Sequence, residues 1–430
     1  MQTAPLTVLD ELYLYLDRPE EPFSVHTEMR VEGSLDPERL EAAVRRAALR
    51  HPIARARLAD ARAIDVHNRW EISDELATVD LSVVDCDGPA RLARERERLL
   101  SRIPDLNRPG PFSLVLAHAG DGDVLIMNLH HAAGDGLSAI ALMRSIARAY
   151  AGKRDPKPRF DALSARDLGE VAGGSLKQRI ARGRVALEYV PRWVRGPARI
   201  AAQGSSERAG YGFELLCLEP AELAQLERLR AGEATLNDVL LGGLAVTVHR
   251  WDEEHGAAGG PVYLSMPVNM RPAQWRSDVV GNFAAYISVC MGTTAQRTLA
   301  AAIQAAARNT QRIKRGGVAG FMVDLFTPPS ALPTGLKRHM QRLLPLTRNY
   351  SVDTAVLSNL GRLAPLPRLA EAGAVKGVWF SPPGRMPLGA SLGAGTLDGR
   401  LFLTLRYRRA QFNAKAAGEF LDTFRSVLAA

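Results

Sequence analysis

An apolar run, a polar turn and an amphipathic helix follow one another without a break between Val124 and Tyr150. This succession constrains the 430-residue chain more than any other feature of it. VLIMNL (Val124 to Leu129) is short, apolar and partly β-branched, which predicts a buried strand. LSAIALMRSIARAY (Leu137 to Tyr150) has the apolar spacing of an amphipathic helix. Between them, LHHAAGDGLS puts two adjacent histidines and an Asp-Gly pair on a strand-to-helix turn, where polar groups can face a cleft instead of a core.

The rest of the chain repeats the theme. Phe23 to Val31 reads as a strand and Asp36 to His51 as a helix. That helix has Ser34 or Asp36 as its cap, Pro37 in its first turn, and Leu40, Ala43, Val44 and Ala47 on one face. Residues 151–210 change character to Gly, Pro and basic residues with weak apolar periodicity, the composition of a linker with some helix. From Tyr211 a second α/β half begins, with helices over 219–232 and 235–251, the latter capped by Thr235 or Asn237. VYLSMPVNM, AAYISVCM and LFLTLRY read as strands, and NAKAAGEFLDTFRSVL as a closing helix. Two α/β lobes follow, at 1–165 and 211–430, joined by a basic linker at 166–210, with no detectable sequence repeat between them.

An apolar content of 46% in a chain of this length supports a large core, and no run approaches the roughly 18 apolar residues of a membrane span. The acidic start, MQTAPLTVLDELYLYLDRPEE, lacks the basic and apolar regions of a secretion signal. Cys86, Cys217 and Cys290 are isolated, so a reduced, cytoplasmic setting is expected. The net charge of +9 is concentrated at 175–200 and 336–350. It suits an acidic carrier protein, an anionic lipid surface or a phosphorylated cofactor, or else marks solvated helix faces. No zinc-finger, RNP or helix-turn-helix signature suggests nucleic acid.

Histidine is the natural general base near neutral pH, its unperturbed pKa being about 6.5. Adjacent histidines leaving a strand diverge, so only one of His130 and His131 can face a given cleft. Asp135 can pair with a cation or cap the following helix, and Gly136 lets backbone approach closely. The pair with Asp135 makes a poor metal site because the rings diverge, and no other cluster has zinc spacing. No Walker A or dinucleotide fingerprint is present. GASLG (Gly389 to Gly393) matches the G-x-S-x-G elbow of hydrolases, but no histidine follows His339. Its glycines are expected to form a turn.

Taken together, HHAAGDG resembles HHxxxDG, the signature of the condensation-domain acyltransferase superfamily, and Ser138 stands where peptide-synthetase condensation domains carry a serine. The superfamily includes wax ester synthase/diacylglycerol acyltransferases, mycobacterial polyketide-associated acyltransferases and alcohol acetyltransferases. RHPIARARL (Arg50 to Leu58) resembles its RHxxLRxxF motif, with Ala54 and Leu58 substituted. VGNF (Val280 to Phe283) resembles part of its G-x-F motif. TLNDVLL and PVNMR resemble the Asn-Asp motif and the Pro-x-x-x-Arg strand end of wax ester synthases, and LSNLGRL (Leu357 to Leu363) a segment of ester-forming members. The motif's place in the first third, before a complete second half, is similar to the two-lobed type and not to single-unit acetyltransferases.

The resemblance implies two chloramphenicol-acetyltransferase-like lobes in a V, with the active site in a tunnel between them. It implies His131 as base, His130 as structural, Asp135 paired with Arg271 as an organiser, and Gly136 as an amide for the oxyanion. Ser138, Asn282, Phe283, Ser358 and Asn359 would lie along an acyl channel, with Tyr286 and Trp379 nearby. No tightly bound cofactor is implied. The donor would be acyl-CoA or acyl-phosphopantetheine on a carrier protein, and the acceptor an alcohol or amine. A monomer is expected, and the basic stretches leave a peripheral membrane contact open. YxDFAVW, HQDxPFE and RDxSRNP are missing, which favours a free-standing ester-forming enzyme over an amide-forming module; DFGWG is missing as well, setting plant-type acyltransferases aside. The other alternative is a non-catalytic relative that binds a carrier protein or lipid.

Overall fold

The computed structural model describes residues 2–156, 161–172, 179–180, 182–184, 196–206, 209–272, 279–316, 318–339, 342 and 349–430. Much of the basic stretch at 175–200, and residues 340–341 and 343–348 of the one at 336–350, lie outside the described residues.

Capping side chains start three of the helices of the first half. α1 (Val8–Leu16) begins at Thr7, which exchanges hydrogen bonds with Asp10: the Thr7 hydroxyl accepts the Asp10 amide, and the Asp10 carboxylate accepts the Thr7 amide. In α2 (Pro37–Arg50), Asp36 is the cap and Pro37 fills the first turn. α3 (Pro89–Leu100) lies between two parallel strands, and α4 (Gly136–Tyr150) is capped by Asp135. β1 (Gln2–Pro5), β4 (Arg69–Ile72) and β3 (Ala56–Leu58) make a small sheet in that order.

The sheet of the first lobe contains β2 (Ser24–Val31), β5 (Leu81–Cys86), β6 (Phe112–Ala119) and β7 (Val124–His130). Its fifth strand is β12 (Val375–Ser381), which arrives from the far end of the sequence and pairs antiparallel with β2, giving the order β12-β2-β7-β6-β5. β7 is buried along its whole length between β2 and β6, which explains its unbroken apolar run.

In the second lobe the sheet runs β10 (Ala284–Met291), β9 (Val262–Asn269), β11 (Ala355–Arg362), β13 (Ala390–Leu397), β14 (Arg400–Arg408), β8 (Tyr211–Leu218). Its helices Leu236–Glu254, Leu299–Arg315 and Ala414–Ala429 pack on it through a core that includes Leu241, Leu244, Ile303, Phe420 and Phe424. Thr235 caps the first of these in a reciprocal pair with Asp238. The helix expected over 219–232 spans Pro220–Arg228, and the chain then turns through Gly232 at φ 61°.

One expectation is corrected. The turn expected of GASLG is confined to Gly389, at φ 67°; Gly393 lies inside β13, and the Ser391 hydroxyl is buried and donates to Pro382 O at 2.9 Å. The glycine at 393 is required by packing, since a Cβ there would stand 1.9 Å from Phe380 O of β12. The lobes are further tied by Arg406 of β14, which donates to Ser24 O at 2.7 Å and lies 3.8 Å over the Tyr211 ring. No helix among the described residues is long and apolar enough to cross a membrane.

Candidate active site

The two histidines diverge as strand geometry requires. His130, the last residue of β7, accepts the Ala132 amide on Nδ1 (3.1 Å), so its Nε2 carries the proton and faces Asp17 Oδ2 at 3.2 Å. Asp17 also accepts the Phe23 amide at 2.6 Å, so His130 pins the turn to the segment entering β2.

His131 turns the other way, toward the second lobe. Its Nδ1 meets Asn282 Oδ1 at 3.2 Å and its Nε2 meets Tyr286 Oη at 3.2 Å. The tautomer follows from the other end of the Asn282 side chain. Nδ2 of Asn282 lies 2.6 Å from His131 O, 3.0 Å from Ala132 O and 3.0 Å from Asp10 Oδ1, all acceptors. The amide must therefore present its oxygen to the ring, which requires a proton on Nδ1 and leaves Nε2 with its lone pair. Tyr286 then donates its hydroxyl proton to Nε2. Burial pushes the His131 imidazolium pKa down to about 4, offset only in part by its own carbonyl, Asp135 and Asn282. The ring is thus neutral at neutral pH. Tyr13 covers it at a centroid distance of 4.0 Å and Phe23 at 5.5 Å. Burial, together with the Asp135 charge, raises the Tyr286 phenol and keeps it protonated.

Asp135 satisfies both structural readings at once. Its Oδ1 caps α4 by accepting the Ser138 amide at 3.0 Å, and Arg271 grips both oxygens, Nη1 to Oδ2 at 2.6 Å and Nη2 to Oδ1 at 2.8 Å. Burial pushes this carboxyl upward, but the Arg271 charge and the amides of Phe283 and Ser138 outweigh it and hold the group below the ordinary range. The Arg271 guanidinium rests 4.5 Å over the Phe283 ring and also donates to Ser138 Oγ and Gly281 O. The VGNF segment is therefore a strap whose successive residues bind Ser138, His131 and Asp135.

Three of the five residues expected along an acyl channel sit elsewhere. Ser138 and Phe283 are wholly buried in the Asp135–Arg271 cluster, and Asn282 spends its amide on His131, Ala132 and Asp10; none lines either cavity described below. Trp379 packs on Phe402 at 4.8 Å, also away from both.

Two cavities lie along one face of the second-lobe sheet, and Tyr286, the partner of His131, lines one of them. One, of about 430 Å³, is lined by Tyr13, Phe23, Leu12, Leu16, Tyr286 and Leu388 among others. The second, of about 360 Å³, is more polar and is lined by Asp135, Gly136, Arg144, Arg271, Ser358 and Asn359 among others. Ser288 and Tyr286 of β10 face the first and Ala284 the second, so alternate residues of one strand lead from one to the other. Gly136 has no room for a side chain: a Cβ there would stand 2.5 Å from the Phe380 ring and 2.8 Å from Leu360 of β11.

Sequence reasoning missed what lies behind Asn282. Asp10, buried on α1, accepts from Asn282 and is ion-paired with Arg166, itself buried at the start of the expected linker. Elsewhere the borrowed motifs are structural. His51 meets Ser145 Oγ at 2.9 Å, and Asp238 accepts Thr310 Oγ1 at 2.7 Å.

The comparisons with known proteins agree with this architecture. The family model described as "Condensation domain" matches residues 14–162. The uncharacterized protein Rv2305 of Mycobacterium tuberculosis is 35% identical over 435 residues, 99% of this chain and 99% of its own length. The first condensation domain of the calcium-dependent antibiotic synthetase, solved with a substrate analogue, superposes with a TM-score of 0.75 at 16% identity, covering 100% of this chain and 96% of that one. The starter condensation domain of rhizomide synthetase RzmA, a double mutant in complex with C8-CoA and Leu-SNAC, gives 0.69 at 17% identity, with 99% and 94% covered. The fold is the chloramphenicol-acetyltransferase-like pair of lobes in a V, and the chain belongs to the condensation-domain superfamily.

Proposed function

We propose that the protein is an acyltransferase that moves an acyl group from a thioester directly to a hydroxyl acceptor, with His131 as general base. Superfamily membership supports acyl transfer or condensation as the class of activity. The observation that carries the finer reading is the His131 tautomer: Nδ1–H is committed to Asn282, and the Nε2 lone pair accepts from Tyr286, a residue that also lines the mostly apolar cavity.

The acceptor hydroxyl takes the place that Tyr286 Oη occupies beside Nε2. It gives its proton to Nε2 as its oxygen attacks the thioester carbonyl. The tetrahedral intermediate forms without an acyl-enzyme, and the Gly136 amide at the start of α4 is the candidate donor to its oxyanion. The C–S bond then breaks, and the leaving thiolate takes the proton back from the imidazolium. Asp135, Arg271, His130 and Ser138 hold the turn and touch no reacting atom in this scheme. The polar cleft, with Ser358 and Asn359 beside Arg144, suits the amide-rich pantetheine arm of coenzyme A or a carrier protein. The RzmA neighbour, which binds C8-CoA, supports such a donor. Hydroxyl acceptors are preferred because the motifs of amide-forming domains are missing.

The test is acceptor-dependent thiol release from a panel of acyl-CoA and acyl-carrier-protein thioesters, with alcohols and amines offered together. An ester product whose formation stops in a folded His131→Ala protein is the expected result. An amide product would overturn the choice of acceptor, and release undiminished by His131→Ala would overturn the choice of base.

A further inference from the structure

The wall of the apolar cavity carries a cation whose hydrogen-bond donors are not all matched among the described residues. Four charged side chains reach its wall: Glu11, Lys337, Asp353 and Arg385. Lys337 is fully matched, donating to Glu11 Oε2 at 2.6 Å, Val66 O at 2.6 Å and Ser330 O at 2.9 Å. Asp353 belongs to the sheet wall, where both its oxygens lie 2.8 Å from the Ser288 hydroxyl.

Arg385 is different. It stands on the loop between β12 and β13, 13% exposed, and its Nε and Nη1 are buried without a hydrogen-bond partner among the described residues. The nearest carboxylate, Glu21, is 3.8 Å away, too far to accept a hydrogen bond. Glu21 is also shared: it accepts the Met386 amide at 2.8 Å and lies 3.6 Å from Arg408 Nε. Arg406 and Arg408 both rest on the adjacent Tyr211 ring, so one carboxylate serves a cluster of guanidinium groups. Burial and the nearby Arg18 push the Arg385 pKa down, opposed in part by Glu21 and Tyr211. A guanidinium held out of water with unused donors is costly, and a carboxylate is the group whose geometry matches its fork.

We propose that Arg385 is a carboxylate-binding group, and that the substrate held in the apolar cavity is an amphiphile with an aliphatic or aromatic body and a free carboxylate. The proposal rests on the reading that this cavity is a substrate site. Two sources share the chemistry: a hydroxy acid as acceptor, or a carboxyacyl thioester as donor. In either case Leu12, Leu16, Phe23 and Leu388 enclose the body while Arg385 takes the anion.

Binding tests this independently of turnover. Decanoate and decanamide, which differ only in the terminal group, are titrated into the full-length protein and into Arg385→Gln and Arg385→Lys, with thermal unfolding as a check on folding. We expect decanoate to bind at least tenfold more tightly than decanamide to the wild type. The advantage should vanish in Arg385→Gln and persist in part in Arg385→Lys, while decanamide binds all three alike. Equal binding of the two probes, no decanoate binding, or an advantage that survives Arg385→Gln overturns the proposal. Turnover then assigns the source. A hydroxydecanoate acceptor is compared with its amide, and a carboxyacyl-CoA with the plain acyl-CoA. A gain in wild type that is lost in Arg385→Gln identifies the carboxylate-bearing partner. Turnover with no carboxylate gain on either side overturns the substrate assignment, whereas no turnover with any thioester, despite selective decanoate binding, counts against the acyltransferase reading alone.

Discussion

The two lobes divide the work of the site unequally. The first contributes a contiguous motif on one turn, His130 to Ser138, in which every residue has a neighbour in sequence as well as in space. The second contributes scattered groups, Arg271, Asn282 and Tyr286, that meet that turn only in the folded chain. The proposed base therefore sits on one lobe while its tautomer and direction are set by the other. Their buried ionisable groups also differ. The first lobe buries His26, His51 and His131, each pushed by burial to a pKa of about 4. The second buries Asp252, pushed by burial up to about 6.

Acid should break this comparison most dramatically. A histidine whose folded pKa lies below its unfolded value of about 6.5 contributes stability above that value and loses it as pH falls toward 4. Three of them together amount to on the order of 10 kcal/mol by pH 4, comparable with the whole stability of an ordinary domain. Asp252 has the opposite sign: its folded pKa is raised, so it gains stability as pH falls from about 6 toward its unfolded value. Hydrogen exchange between pH 7 and 4.5 should accordingly show amides of β2 and β7 losing protection before those of the helix Leu236–Glu254. Simultaneous loss would mean that the lobes unfold as one unit. The same depressed pKa predicts an acid limb of kcat/KM nearer 4 than 6.5, provided the protein is still folded there.

His131→Ala should lower turnover by about 10²- to 10⁴-fold while leaving the melting temperature within a few degrees. Arg271→Leu should do the reverse, costing about 3–5 kcal/mol of stability by leaving Asp135 buried and unpaired. Combining it with Asp135→Leu should recover part of that loss, as a double-mutant cycle will read. The smallest effect is expected from Asn282→Ala. About a 10- to 100-fold drop in kcat with little change in KM is anticipated, by analogy with other groups that orient a histidine. Asn282→Asp should restore part of the rate, because a carboxylate oxygen can still accept the Nδ1 proton; an Asn282→Ala protein with wild-type kcat would show that the ring's own carbonyl suffices.

Much of the architecture was legible because local signals and burial agreed. β10 spans the AAYISVCM segment, Asp36 and Asn413 cap helices where their types suggest, and the apolar run before the histidines is a strand buried on both faces. The Asp135–Arg271 pair was available only through resemblance, since nothing local relates positions 135 and 271. The features that were not legible have one cause in common: they depend on a neighbour remote in sequence. VKGVWFS alternates well enough to be a strand, but nothing in it says that it belongs beside β2. The glycines of β13 look like turn residues until the carbonyl of Phe380 is placed against them. Asn282 resembles a channel residue in a motif, and only its three acceptor partners reveal it as the ring's anchor.

The strand exchanged between the lobes also bears on how the protein is made. During synthesis β2 emerges early, yet the partner for its outer edge is more than three hundred residues behind it. Until that segment leaves the ribosome, the nascent first lobe carries an open strand edge, the kind of template that recruits other chains. Completion of the sheet that carries the His130–Ser138 turn is thus deferred almost to the end of translation, and a fragment cut anywhere before residue 375 inherits the unpaired edge.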